Sequence, residues 1–315
     1  MNDIKQLLLL PHIKVHNANA LSSPFTIGFP AMTAWLGAVH ALQRKLNIQG
    51  YNDIKFNGVA VISHECDLQT HKGVDDLVYS IIGTANPLDK TGSRSAFIEE
   101  ARCHLDVSLV IEYTGLEKDN EHILKEKITQ ILNSKMKIAS GDILTFKEPS
   151  FFKIEDGNDK DLHMLTRKLM PGYAIIERRD LMIDAMAAGQ DAMDALLDNL
   201  AIHYQCKKEL DGDEEKITWT SSRKNKKGWI VPIASGFHGL TDLTQAKNQR
   251  DPTTLHRFAE SIVTLGEFKM PYHIKSITDL LWRYQTDLDK NLYLCVQQQQ
   301  QTRNQTDDLL SSLFE

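Results

Sequence analysis

Asn17, Asn19, Ser22 and Ser23 crowd a short polar stretch that ends in Phe29 and Pro30, and their side chains are of the kind that hold anions. Amides and hydroxyls just ahead of a helix combine local donors with the positive end of the helix dipole, an arrangement that favours phosphate. Arg44 stands on the helix that follows. It either closes onto the polar elbow or ends in solvent. Further along, Arg223, Lys224, Lys226 and Lys227 lie beside Trp229. That cluster pairs phosphate-binding charge with a stacking surface, although a solvated charged turn has the same composition. Arg94 and Arg102 flank Glu99 and Glu100, so each is either a phosphate contact or half of a surface ion pair.

These groups bind rather than react. The sequence has no P-loop, no GxGxxG after a strand, no HExxH and no GxSxG. His40, His64 and His104 are candidate acid–base groups, as a metal-independent ribonuclease would need near a ribose 2′-OH, but a lone histidine is more often structural. His64-Glu65-Cys66 falls on a strand pattern whose neighbours alternate in direction, which makes a poor metal site. Asp75-Asp76 and Glu99-Glu100 are adjacent acids of the solvated kind.

The elements that must position these residues follow from periodicity. Leu7–Leu10, Ile13 and Val15 predict a strand over 4–16. Trp35, Val39, Leu42 and Leu46 repeat at helical spacing, with Pro30 suited to the first helical position. A second strand runs from Val59 through Leu68. A third alternates through Leu105, Val107, Leu109, Ile111 and Tyr113 against Asp106, Ser108 and Glu112. A helix over 121–135 and a strand over 136–146 complete a β-α-β-β-α-β order, the ferredoxin-like or RNA-recognition-like α+β core. Residues 69–98 are far more than a hairpin turn needs and predict a protruding arm.

The predicted organisation is a domain over 1–146 that includes this arm, a connector over 147–160, an α+β region over 161–295 and a disordered polar tail over 296–315. In the second region, 166–176 reads as a basic turn into a strand and 193–204 as a helix. Lys216–Thr220 and Gly228–Ile233 read as a strand pair, 255–265 as amphipathic and 277–284 as a helix.

The 315 residues, 42 % of them hydrophobic, suffice for a sizeable core. The formal net charge of −6 argues against a free-standing nonspecific nucleic-acid binder. Charge is uneven, however. Between 218 and 260, Arg223, Lys224, Lys226, Lys227, Lys247, Arg250 and Arg257 outnumber Asp242, Asp251 and Glu260. No apolar run is long enough for a membrane span. Cys66, Cys103, Cys206 and Cys295 are widely spaced, as suits reduced thiols in a cytoplasm.

The ordered set Leu-Leu-Leu-Leu-Pro11, Asn17-Ala-Asn-Ala20, Ser22-Ser-Pro24, Gly28-Phe-Pro30 and Val39-His-Ala-Leu-Gln-Arg44 resembles a known family. It continues through Asn86-Pro-Leu88, Glu99-Glu-Ala-Arg102, Leu169-Met-Pro-Gly172, Gly228-Trp229, Val231-Pro-Ile233 and Leu280-Leu-Trp282. The family is the second subunit of the Csy complex, the type I-F CRISPR–Cas surveillance assembly, within the Cas-five superfamily. The resemblance runs collinearly from about residue 6 to residue 294 and leaves out the polyglutamine tail and the acidic 211–215 loop. It implies a non-catalytic subunit that needs no cofactor, holds the 5′ handle of the CRISPR RNA and pairs with the large subunit. It further implies that the arm is a thumb meeting the first backbone subunit, with target DNA near the protospacer-adjacent motif as a further partner. Because some relatives process RNA, the competing expectation is a metal-independent endoribonuclease acting through His40.

Overall fold

The computed structural model describes residues 4–82, 88, 90–93, 100–116, 120–155, 159–211, 214–223, 228–249 and 251–297. Three strands dominate its first half. They are β1 (Ile4–Asn19), followed by the small hairpin β2 (Leu21–Ser23) and β3 (Thr26–Ile27); β4 (Lys55–Leu68), followed by β5 (Thr70–His71) and β6 (Ser80–Ile81); and β7 (Arg102–Thr114). Helix α1 (Met32–Ile48) joins the first to the second. Helix α2 (Glu121–Lys135) leads from β7 to β8 (Lys137–Ile138) and β9 (Gly141–Thr145). These strands lie in the order β4-β7-β1-β9, with antiparallel neighbours throughout.

Both faces of this sheet are covered, which explains the unbroken apolar run of Leu7–Leu10. Leu8, Leu10, Val59, Val61, Leu109 and Ile111 face α1 and α2, where Met32, Trp35, Leu42, Leu46, Ile128 and Ile131 are buried. The opposite face carries Leu7, Leu9, Ala60, Ile62 and Val110. It packs on Leu165 and Leu169 of α3 (Asp159–Leu169) and on Ile277 and Leu280 of a short 3₁₀ turn. Each such side chain contributes roughly 1.5–3 kcal/mol by leaving water.

The second half of the chain extends the same sheet. Its strands are β10 (Ser150–Glu155), β11 (Tyr173–Glu177), β14 (Trp229–Gly239), β15 (Ala259–Lys269), β16 (Trp282–Asp287) and β17 (Leu292–Gln297). The path β4-β16-β17-β14-β15-β11 returns to β4, because β16 meets it at Val59 and β11 at Ile62 and Ser63. Trp282 fills this junction fully buried and donates from Nε1 to the Ile175 carbonyl at 3.0 Å. Helices α4 (Arg179–Ala187) and α5 (Ala192–Leu200) pack Met182 and Ala195 on Ile230 and Leu265. The hairpin of β12 (His203–Asp211) and β13 (Glu214–Ser222) forms a separate two-stranded sheet.

Several sequence expectations are corrected. Residues 147–160 are not a plain connector: β10 lies within them and pairs with β1 from Ile4 to Leu9. The segment 255–265 enters β15, and 277–284 is a single 3₁₀ turn running into β16. In 277–284, expected as a helix, apolar residues at helix-like spacing were outweighed by partners available at a sheet edge. Lys216–Thr220 and Gly228–Ile233 do not pair: β13 pairs with β12, whereas β14 lies between β15 and β17. Thr166–Leu169 is the end of α3 rather than a turn. Pro30 sits ahead of the Ala31 N-cap instead of at the first helical position. Of the arm over 69–98, the short β5–β6 pair is described, and residues 83–87, 89 and 94–98 lie outside the described residues, as do 298–315 of the tail.

Candidate nucleic-acid interface

The polar elbow is a hairpin. Asn19 ties the chain locally, its Nδ2 donating to the Leu21 carbonyl at 2.9 Å while its Oδ1 accepts from the Leu21 N–H at 3.2 Å. Thr26 Oγ1 lies 2.8 Å from Ser22 Oγ and 2.7 Å from Ser23 Oγ, and Ser23 Oγ accepts the Phe25 N–H at 3.1 Å. The hydroxyls therefore close the β2–β3 turn on itself and hold Phe25 out at its tip, 75 % exposed. Asn17 is separate from this cluster. It has a left-handed backbone (φ 58°), donates its N–H to His104 Nδ1 at 3.2 Å and accepts from Gln69 Nε2 at 3.2 Å, which places it at the root of the arm.

After the hairpin the chain delivers Phe29 into a run of aromatic rings. Phe29 stacks on Trp35 at 5.3 Å and meets the edge of Phe268 at 5.3 Å. Phe268 lies across the β14–β15 ladder from Trp229, with ring centroids 5.1 Å apart, and Tyr173 at the start of β11 meets Trp229 edge-on at 5.4 Å. Edge and offset contacts at these spacings are the favourable ones for aromatic quadrupoles. The run passes from buried to exposed: Phe29 is 8 % exposed, Tyr173 38 % and Trp229 52 %. Gly228, with φ +89°, lets the chain enter β14 against Glu267, where a Cβ would meet Oε1 at 2.6 Å.

The hairpin and the aromatic run face one another across a pocket of ≈ 280 Å³. Ser22, Thr26, Ile27 and Gly28 line one side, Tyr173, Trp229 and Phe268 the other, and His64 and Cys66 belong to its wall as well. At that size it suits one or two flat rings, near the lower limit of about 300 Å³ for small-molecule pockets. Burial holds the His64 imidazole below its ordinary pKa, against the pull of the Pro171 carbonyl.

Of the RNA-binding candidates from sequence, Ser22, Phe29 and Trp229 are brought to one place, with the acid–base candidate His64 in the same wall. The others are distributed. Arg102 Nη2 bonds Glu100 Oε2 at 2.7 Å, the ion-pair alternative. Arg44 is exposed on α1, and Arg223 is half-buried just beyond β13. Arg94, Lys224, Lys226 and Lys227 lie outside the described residues. His40 is exposed on α1, His64 stacks on His12 and His104 stacks on His16, so the three candidate bases do not converge on one point. Tyr173 and Phe268 were missed from sequence. Each sits on an ordinary alternating strand, and only strand pairing brings them beside Trp229.

Two comparisons bear on the identity of this arrangement. The sequence model of the Cas_Csy2 family, described as a CRISPR-associated protein, matches residues 8–295. The CRISPR-associated protein Csy2 of Pseudomonas aeruginosa (strain UCBPP-PA14) is 34 % identical over 319 residues, covering 93 % of this chain and 95 % of that protein. The match spans the hairpin, the aromatic run and the whole sheet, and by it the chain belongs to the Cas_Csy2 family of type I-F CRISPR-associated proteins.

Proposed function

We propose that this chain is a non-catalytic RNA-binding subunit of a type I-F surveillance complex, holding the 5′ handle of the CRISPR RNA. The observation that carries the reading is the pocket between the β2–β3 hairpin and the Tyr173–Trp229–Phe268 run, far-separated segments that converge on an exposed stacking surface. A base stacks on such a surface without sequence preference, which suits a subunit gripping one end of a guide. The strand order β4-β7-β1-β9 supports a ferredoxin-like, RNA-recognition-like core, and in this reading the segment 69–98 serves as its thumb. Phosphate charge comes from Arg94 and Arg223 with Lys224, Lys226 and Lys227, and from Arg102 where it exchanges Glu100 for a phosphate; Lys227 stands two residues before Trp229. Asn17, Asn19, Ser22 and Ser23 shape the hairpin, and Arg44 adds charge on α1.

In this reading the net charge of −6 is tolerable because neighbouring subunits share the RNA. Those neighbours are the large subunit, with which the chain pairs, and a backbone subunit against the thumb. Target DNA passes near the protospacer-adjacent motif, and the assembly works in the cytoplasm.

Co-expression with the other subunits and a CRISPR array tests this, with crosslinking to the RNA. The expected result is a handle adduct at Trp229 or Tyr173 that disappears in Trp229→Ala. Recovery of an assembled complex with no adduct on this chain would show a protein-only scaffold. Cleavage of labelled precursor RNA by the purified chain in EDTA, lost on His40→Ala, would show a ribonuclease instead.

A further inference from the structure

Strand β7 is flanked by two register breaks at the same level. On β1 the pairing moves from Leu10–Leu109 to Ile13–Val107, so Pro11 and His12 together oppose Ser108. On β4 it moves from Ser63–Val107 to Glu65–Asp106, and the residue left over is His64. Each break is a β-bulge, and a bulge re-aims the side chain it carries. His12 is also held at φ 49°, a left-handed conformation that costs a non-glycine residue about 1 kcal/mol or more.

The two bulges turn both imidazoles onto the same spot above β7. Their rings stack with centroids 4.1 Å apart. His12 Nδ1 lies 3.1 Å from Asp106 Oδ1, and His64 Nε2 lies 2.7 Å from Ser108 Oγ. The bulge at His64 thus breaks the strict alternation that made His64-Glu65-Cys66 a poor metal motif, and supplies different partners.

We propose that His12, His64 and Asp106 form a site for one divalent transition-metal ion of the zinc class. The ligand atoms of the three side chains lie within 4.8 Å of one another. Bonds of about 2.1 Å to a tetrahedral ion place donors about 3.4 Å apart, and because the two rings are stacked nearly parallel, one imidazole swings out of the stack for both lone pairs to reach the ion. Two imidazoles and one carboxylate are a set that first-row metals accept, with a fourth position left for water.

The surroundings already orient the ligands. His64 Nδ1 donates to the Pro171 carbonyl at 2.5 Å, which leaves the Nε2 lone pair for a metal and fixes the ring, as outer partners of metal-bound histidines do. Gly172 makes that approach feasible: a Cβ there would meet His64 Nδ1 at 2.8 Å. The Ser108 hydroxyl, fully buried, accepts the His12 N–H at 3.0 Å and can turn its proton away from His64 when a cation arrives. Since His64 also lines the aromatic pocket, the ion would lie in its wall. The assignment does not depend on the RNA reading.

The test uses the tag-free chain, stripped with EDTA and titrated with Co(II) and then Zn(II). The expected result is one Co(II) per chain with visible ligand-field bands of a low-symmetry site, displaced by Zn(II). His12→Gln and Asp106→Asn should each weaken binding at least about tenfold. Co(II) that binds without such bands, or with unchanged affinity in both variants, would overturn the site. If either variant fails to fold, metal-edge X-ray absorption on the wild type decides: two imidazoles support the proposal, and fewer refute it.

Discussion

The two halves of β4 and β7 are built from the same ladder and serve opposite ends. In one half, Val59–Ile62 of β4 run beside Leu109–Tyr113 of β7, all buried, with helices on one face and α3 plus the 3₁₀ turn on the other. In the other half, His64 is half-buried, Glu65, Cys66 and Asp67 are exposed, and β7 alternates buried Leu105 and Val107 with partly exposed His104 and Asp106. The covering layer of α3 ends between them, and the bulges at His12 and His64 lie just beyond it. A strand buried on both faces is mostly apolar. Once one face is released, the same strand can carry bulges, titratable groups and a binding pocket without losing its anchor.

The contrast can be broken at several points. Ile62→Ala, in the doubly buried half, should cost the most, about 2–5 kcal/mol by urea unfolding, because the cavity lies between two packed layers. Glu112→Ala should follow with about 3 kcal/mol, since this nearly buried carboxylate is bonded by Lys5 at 3.0 Å and by Arg283, and its loss removes both charge-assisted contacts. Trp229→Ala should remove about 1–3 kcal/mol of RNA affinity in a filter-binding or anisotropy assay while leaving the unfolding midpoint almost unchanged, as its ring is half in solvent. Glu65→Ala, three residues along β4 from Ile62 but beyond the bulge, should shift stability by no more than about 0.5 kcal/mol. A large loss at Glu65, or a small one at Ile62, would erase the distinction between the halves.

Much of this was legible in advance where local pattern and final environment agree. The alternation of Leu105, Val107, Leu109 and Ile111 predicted which face of β7 is apolar, and the helix over 121–135 begins and ends where its periodicity does. The polar elbow was visible as a cluster of Asn, Ser and Pro, but its hydroxyls proved to bond one another, because Thr26 brings its Oγ1 between Ser22 and Ser23. Trp229 was legible as an exposed aromatic beside charge. Its real neighbours, Tyr173 and Phe268, were not, since they are separated from it in sequence and joined only by β-pairing.

By itself the sequence determined the class of the chain, the run of strands and helices in its first half, and the family to which its collinear motifs belong. These depend on side-chain periodicity and short-range turn chemistry, which are written locally. Only the tertiary structure decided that β13 would leave β14, that 255–265 would become strand, and that His12 and His64 would meet over β7. Those outcomes depend on which distant edges are free to pair and where a ladder slips by one residue, and no local pattern encodes the partner of an unpaired edge.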